Sequence, residues 1–163
     1  MAARAGDQLM LDLAERATAA AAQAGSSVRL RLFKNNTDSY GNSYGSHENY
    51  LVERASDPDR FAEALTGFLV TRQLTSGNGS LSRGEFRISQ RADHLHEAFS
   101  ATTTRARPLV NSRDEPLADP TRFRRLHVLA GDSNLSETTA WLRLTSTELV
   151  LRLVEAGHRF ERF

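Results

Sequence analysis

Apolar residues recur at helical spacing near the start of the chain and predict a helix over residues 7–24. Gly25 follows this stretch and can end the helix, because glycine readily adopts the left-handed conformation of a helix terminus. Residues 28–33 then alternate between apolar and basic side chains, which is typical of a half-buried strand. The segment 35–46 is rich in Asn, Gly, Ser and Tyr, and it predicts a loop.

The middle of the chain predicts two further strand regions and a second helix. A short strand is expected at 50–53, and a helix begins at Asp57, beyond which apolar residues share one face. These residues are Phe61, Ala64, Leu65, Phe68 and Leu69. A hairpin follows, with residues 77–79 as the turn between strands near Leu74 and at 85–89.

Residues 100–121 are predicted to be mostly loop, and the apolar run 126–130 is predicted to be a strand that contains His127. Ser136 begins a last helix, whose apolar side is formed by Leu142, Leu149 and Leu153. Together these elements predict an α+β fold in which helices pack on one face of an antiparallel sheet. We expect a single domain over residues 1–163.

The composition excludes several classes of protein. The net charge is +1, so no long-range attraction to nucleic acid or to a membrane surface is expected. No apolar run is long enough to span a membrane, and the first residues do not resemble a secretion signal. The chain has no cysteine, which is compatible with the cytoplasm, where we expect the protein to be located.

Two histidines are candidate metal ligands. His47 and His127 each lie where an apolar run meets a dense polar segment. Imidazoles can bind a metal ion, but these two residues match no short metal motif, so partly buried histidines that only hydrogen-bond are the alternative.

Two arginines are candidate phosphate-binding residues. Arg91 and Arg113 lie among small polar residues and not on a helical face. A guanidinium group can clamp two phosphate oxygens at once and remains charged at any working pH. The alternative is an ordinary surface or ion-paired role.

Four segments resemble the Pup ligase/deamidase family of glutamine-synthetase-like carboxylate–amine ligases. They are FKNNTDSYGNSYGSHENYLV at 33–52, ISQRAD at 88–93, SATTTRARP at 100–108, and the block from Arg107 to Thr139 that includes NSRDEP, RRLHVLA and GDSNLSETT. The resemblance covers residues 30–157 and only the middle of such an enzyme. FLVTRQL at 68–74 favours the ligase branch. Asp93 is closer to the deamidase branch, and Leu117 stands where the family usually has histidine.

The resemblance implies a partial glutamine-synthetase-like core, with His47 and His127 as metal ligands and Arg91 and Arg113 as ATP-binding residues. The cofactors would be ATP and Mg²⁺, and Mn²⁺ would also fit. The implied reaction phosphorylates the side chain of the C-terminal glutamate of the modifier Pup and joins it to a lysine of a target protein.

Other functions remain open for such a chain. The resemblance also fits a Pup deamidase (depupylase), a non-catalytic remnant or binding module, and one half of a split enzyme. Family members have metal-binding glutamates and a catalytic aspartate upstream of the matched segments. We therefore expect a fragment or a truncated member that holds no certain catalytic base and lacks measurable ligase activity in isolation.

Overall fold

The computed structural model describes residues 2–101 and 107–160, and the chain divides into two compact units, residues 1–35 and 36–163. The first unit contains helix α1 (Ala2–Gln23) and the extended segment that follows it. As predicted, Gly25 terminates the helix: it lies two residues after Gln23 and has a φ of 78°. Asp7 does not begin the helix; it lies within α1 and pairs with Lys34, at 3.1 Å between Nζ and Oδ2.

The prediction of a strand at 28–33 is wrong. Its backbone forms no strand in the structure, and the N–H of Leu30 donates instead to Oγ1 of Thr18 in α1, at 3.2 Å. The alternation of side chains is real, but a strand also needs a neighbouring strand to complete its hydrogen bonds. The described part of this unit contains no strand that could do so.

Within its described residues, the second unit combines six strands with three α-helices. In chain order they are β1 (Glu48–Glu53), α2 (Pro58–Thr71), α3 (Gln73–Ser76), β2 (Ser80–Ser82), β3 (Glu85–Arg87), β4 (Glu97–Ser100), β5 (Pro108–Asn111), β6 (Phe123–Val128) and α4 (Glu137–Glu155). A short 3₁₀ turn at Ala92–His94 precedes β4. The main sheet has the order β1-β6-β5-β4, and β2 pairs with β3 in a separate hairpin.

Helices α2 and α4 supply the apolar side of the core, as the mixed helix-and-sheet prediction requires. The core residues come from the inner face of the sheet, from these helices and from the loop after β6: Val52, Phe61, Ala64, Leu65, Leu69, Val110, Leu126, Val128, Ala130, Leu151 and Val154. Asp57 caps α2 and Ser136 caps α4, each by accepting a backbone N–H with its side chain. The sheet departs from a purely antiparallel one, because β4 pairs with β5 in parallel.

The hairpin forms at a different turn from the predicted one. Residues 77–79 do not connect two strands; Leu74 lies in α3, and the turn between β2 and β3 is made by Arg83 and Gly84. Both residues have positive φ, 51° and 83°, which a tight hairpin turn requires. Arginine is an unusual residue at such a position, so the turn gave a weak sequence signal.

Two strands lie in or beside the region that was predicted to be mostly loop. β5 falls inside 100–121, and β4 ends at Ser100. They are only four residues long, which is too short for a clear period of alternation. Residues 102–106 of the SATTTRARP segment lie outside the described residues.

The buried side of α4 also differs from the prediction. Leu142 and Leu149 are exposed, and the helix buries Arg143, Thr147, Leu151 and Val154. Polar residues therefore occupy part of the inward-facing side. None of the described helices is long and apolar enough to cross a membrane.

Candidate metal and nucleotide site

The outer face of the main sheet carries His127 on β6, the strand between β1 and β5. His127 lies on β6, paired with Asn49 of β1 on one side and Asn111 of β5 on the other. Residues adjacent to His127 along β6, Leu126 and Val128, point to the apolar core, so alternation directs the His127 ring to the opposite face. We call this surface the open face of the sheet.

His47 immediately precedes β1 and meets His127 there. The distance between Nε2 of His127 and Nδ1 of His47 is 3.0 Å, and the ring centroids are 4.8 Å apart. The His47 ring packs closely against Gly45, because a Cβ at Gly45 would lie 2.6 Å from His47 Nε2. The two imidazoles, 80 residues apart in sequence, are thus brought together.

The surroundings favour the neutral form of both imidazoles. Partial burial lowers the pKa of His47, and the nearby positive charges of Arg91 and Arg125 lower it further. Burial is also the largest cause of the lowered pKa of His127, followed by the charges of Arg125 and His47, with Glu115 acting in the opposite direction. A neutral imidazole is the form that binds a metal ion.

The nitrogen separation fits a shared metal ion. Two ligand atoms bound at about 2.1 Å and at right angles to each other lie about 3.0 Å apart. Among the described residues, no group of three or more His, Cys, Asp or Glu side chains is arranged to hold a metal. The pair would therefore supply two ligands, and oxygen ligands would have to complete the shell. Without a metal, the same distance suits a hydrogen bond between the rings.

Arg91 lies close to the histidine pair but is largely buried. It is only 3% exposed; its Nη1 donates to the carbonyls of Leu129 and Gly131, and its Nε donates to Oγ of Ser43 at 3.2 Å. A guanidinium group has five N–H donors, so these three bonds leave at most two for a phosphate. Its contact with Ser43 also holds the loop that leads into His47.

Arg113 is exposed at the end of β5. Its backbone N–H donates to Oδ1 of Asn111, the residue paired with His127, at 2.9 Å. Its Nε donates to the carbonyl of Ala101 at 2.9 Å. The neighbouring acids pair with other arginines: Asp114 with Arg54 at 2.7 Å, and Glu115 with Arg125 at 3.6 Å.

Sequence reasoning missed a buried ionic cluster directly behind the site. Glu48, the residue after His47, accepts two hydrogen bonds from Arg72, at 2.8 and 3.0 Å, and one from the hydroxyl of Tyr50 at 2.5 Å. Nε of Arg143 lies 3.5 Å from the same carboxylate. Arg143 also donates to Oγ of Ser46. A helical projection of α4 that starts from Leu151 places Thr147 and Arg143 on the same side as this buried leucine. The sequence therefore contained a signal that both residues face inward.

Asp132 is a second buried group whose role was not foreseen. Its fully buried carboxylate accepts the backbone N–H groups of Asn78, Gln90 and Arg91, and the hydroxyl of Ser89. It thereby joins the loop after β6 to the segment that contains Arg91. The position of Asp132 in the sequence does not distinguish it from a residue that caps a helix.

The open face, its paired imidazoles and the neighbouring arginines define an α+β domain with a candidate metal and nucleotide site. A family model described as Pup-ligase protein matches residues 1–163, and the chain belongs to that family. It is 56% identical over 154 residues to the Pup–protein ligase of Corynebacterium diphtheriae, covering 94% of this chain and 32% of that protein. It is 49% identical over 164 residues to Pup–protein ligase 2 of Rhodococcus erythropolis, covering 98% and 37%.

The chain also resembles solved structures, among them two of the Pup ligase PafA. One is the Pup ligase PafA in complex with ADP, with a TM-score of 0.82 and 45% identity over 93% of this chain and 35% of that one. The other is the complex between Pup and its ligase PafA, with a TM-score of 0.82 and 42% identity over 93% and 31%. The chain thus spans about a third of the length of the relatives it matches.

Proposed function

We propose that this chain forms part of an ATP-dependent Pup–protein ligase. In the first step, the γ-phosphoryl group of ATP is transferred to the side-chain carboxylate of the C-terminal glutamate of Pup, which gives an acyl phosphate and ADP. In the second step, the ε-amine of a target lysine attacks the acyl carbon, phosphate leaves, and the nitrogen loses a proton as the isopeptide bond forms.

The contact between His47 and His127 is the observation that supports this proposal most directly. A separation of 3.0 Å on the open face of the sheet suits two ligands of one ion, in a family whose relatives are named for Pup ligation. The relative solved with ADP and the relative solved with Pup are consistent with both substrates. We also propose the cytoplasm as the location, because the reaction consumes ATP.

The proposed metal is Mg²⁺, and Mn²⁺ would also be accepted. It would offset the negative charge of the ATP phosphates, and His47 and His127 would supply two of its ligands. Since Mg²⁺ prefers oxygen ligands, phosphate oxygens and carboxylates would supply the rest.

Arg113 and Arg91 are proposed to act at the nucleotide phosphates in different ways. Arg113 is exposed, so its guanidinium can turn toward a bound phosphate. Arg91 can offer at most its two remaining N–H groups, and its other bonds stabilise the loop before His47. The deamidase alternative gains no structural support from Asp93, which forms an ion pair with Arg87 at the surface.

The test is an acyl-phosphate assay on the full-length enzyme that contains this region. The enzyme is incubated with ATP, Mg²⁺, Pup ending in glutamate, and hydroxylamine, which captures the acyl phosphate as a hydroxamate. We expect Arg113→Ala to slow hydroxamate formation about ten- to hundredfold, because the loss of one charge-assisted hydrogen bond corresponds to about that factor. Arg113→Lys should recover only part of the rate, because lysine cannot bind two oxygens in the same geometry.

Arg16→Ala is the matched control, because Arg16 is an exposed arginine of α1 in the other unit. It should leave the rate unchanged. If Arg113→Ala and Arg16→Ala give the same rate as the unmodified enzyme, Arg113 does not bind the nucleotide. If the unmodified enzyme forms neither hydroxamate nor conjugate, the ligase proposal fails.

A further inference from the structure

A pocket of about 420 Å³ opens beside the histidine pair on the open face. It is lined by Asn49, Tyr50, Leu51, Glu115, Leu117 and Arg125. Arg125 is two residues from His127 on β6, and Leu51 is the strand partner of Arg125. Two residues of a strand span about 7 Å, so a group held in this pocket would lie next to the proposed reaction centre.

The walls of the pocket are apolar on two sides. Leu51 is 54% exposed on β1, and Leu117 is fully exposed on the loop after β5. Leu117 occupies the position at which the resemblance leads one to expect histidine, so the apolar wall is a property of this chain. An occupant with an aliphatic stem would bury the most apolar surface against these two side chains.

Glu115 is the carboxylate among the lining residues. Its Oε2 lies 3.6 Å from Nη1 of Arg125, and its side chain is 65% exposed. Arg125 is held in place by a second bond, from its Nε to Oδ1 of Asn49 at 2.7 Å. A carboxylate has two oxygens and about four acceptor sites, so Glu115 can accept a further donor from an occupant.

The loop that carries Leu117 is held by Arg54. Its guanidinium donates to the carbonyl of Pro120 at 2.6 Å and to that of Phe123 at 3.0 Å, and it pairs with Asp114. Arg54 therefore holds the loop on both sides of Leu117.

We propose that this pocket binds the acceptor lysine, with the methylene stem between Leu51 and Leu117 and the ammonium group at Glu115. The pocket combines apolar walls with one exposed acid, whose contact with the cation Arg125 is long at 3.6 Å, so the carboxylate can also accept a primary ammonium on an aliphatic chain. Its volume lies within the range of about 300–1,000 Å³ that small-molecule sites occupy. The inference rests on the proposed ligase function and adds the site for its second substrate.

The experiment compares two acceptors in the full-length enzyme, with ATP, Mg²⁺ and Pup present. Nα-acetyl-lysine methylamide needs an acceptor pocket, whereas hydroxylamine is too small to use one. We expect Glu115→Gln to raise the KM for the lysine acceptor about fivefold, because the loss of an exposed ion pair corresponds to about that factor in binding. We expect Leu117→Ser to raise it about fourfold through lost apolar contact. Neither variant should change hydroxamate formation at a fixed concentration of hydroxylamine.

Matched controls come from the hairpin of β2 and β3. Glu85 is an exposed acid that lies 3.9 Å from Arg87, and Leu81 is 77% exposed. Glu85→Gln and Leu81→Ser should leave both acceptor reactions unchanged.

Three results would overturn the inference while leaving the ligase function intact. The first is normal hydroxamate formation together with an unchanged KM for the lysine acceptor in both pocket variants. The second is a raised KM for Pup instead of lysine, which would assign the pocket to the modifier. The third is an equal effect of the pocket and hairpin variants. Absence of hydroxamate in the unmodified enzyme would instead remove the ligase function itself.

Discussion

Gly45 is the residue on which the orientation of His47 depends. Its missing side chain leaves the space that His47 Nε2 occupies, since a Cβ there would lie 2.6 Å away. Nδ1 on the other side of the ring faces His127. The need for glycine at position 45 is steric and local. It could not be inferred from the sequence, because any small residue would have suited a loop at this position.

The first prediction concerns this glycine. In the full-length enzyme, Gly45→Ala should force the imidazole of His47 out of place and weaken Mn²⁺ binding about ten- to hundredfold, as loss of a ligand-orienting contact does. Binding can be followed by the loss of the free Mn²⁺ signal in electron paramagnetic resonance. Gly67→Ala is the control, because an added Cβ there meets no atom within 4 Å. Equal affinities for the two variants would show that Gly45 does not orient a ligand.

A second prediction follows from the lowered pKa values of His47 and His127. The unfolded chain binds more protons than the folded one below the ordinary histidine pKa of about 6.5, so stability must fall as the pH decreases through that value. Replacing both residues with asparagine should reduce this loss between pH 7 and pH 5, measured as the denaturant midpoint at each pH. The pKa of His94 is also lowered, but it contributes equally to both proteins. Identical pH profiles would mean that the pair is not held neutral.

At the scale of elements, the amphipathic helix α2 was predicted well, whereas short or polar elements and the alternating segment 28–33 were not. The apolar face of α2 and the caps of α2 and α4 were predicted correctly, because long amphipathic helices give repeated signals. The inward side of α4 was predicted wrongly, because Arg143 and Thr147 are buried there, where they contact Glu48 and Arg72 of the buried ionic cluster. Four-residue strands and a turn built on Arg83 left too little pattern to recognise.

The third prediction concerns the buried ionic cluster that joins α2, α4 and β1. Arg72→Met should lower the free energy of unfolding by about 3–5 kcal/mol, because Glu48 would keep a buried charge without its main partner. Chemical denaturation of the chain measures this directly. Arg152→Met removes an exposed pair with Glu148 on α4 and should cost about 1 kcal/mol or less. Similar losses for the two variants would contradict a structural role for the cluster.

At the scale of the whole molecule, the second unit brings distant segments of the sequence to one side of a sheet. The resemblance implied that His47 and His127 are metal ligands, which requires their rings to lie close together, and they do, although the interval of 80 residues gave no geometric reason for it. The family resemblance supplied that expectation, and the antiparallel pairing of β1 with β6 explains it. The resemblance could not show that Arg91 is mostly occupied by backbone carbonyls, because such bonds depend on the folded loop.

His47 and His127 are proposed to bind the metal ion that serves the nucleotide. Electron spin echo modulation of Mn²⁺ in the full-length enzyme with ADP tests this proposal, because ¹⁴N of a bound imidazole modulates the echo. We expect imidazole modulation in the unmodified enzyme and its loss in the His47→Ala, His127→Ala double variant, with circular dichroism confirming that the variant is folded. The same imidazole modulation in both proteins would show that the two histidines do not bind the metal.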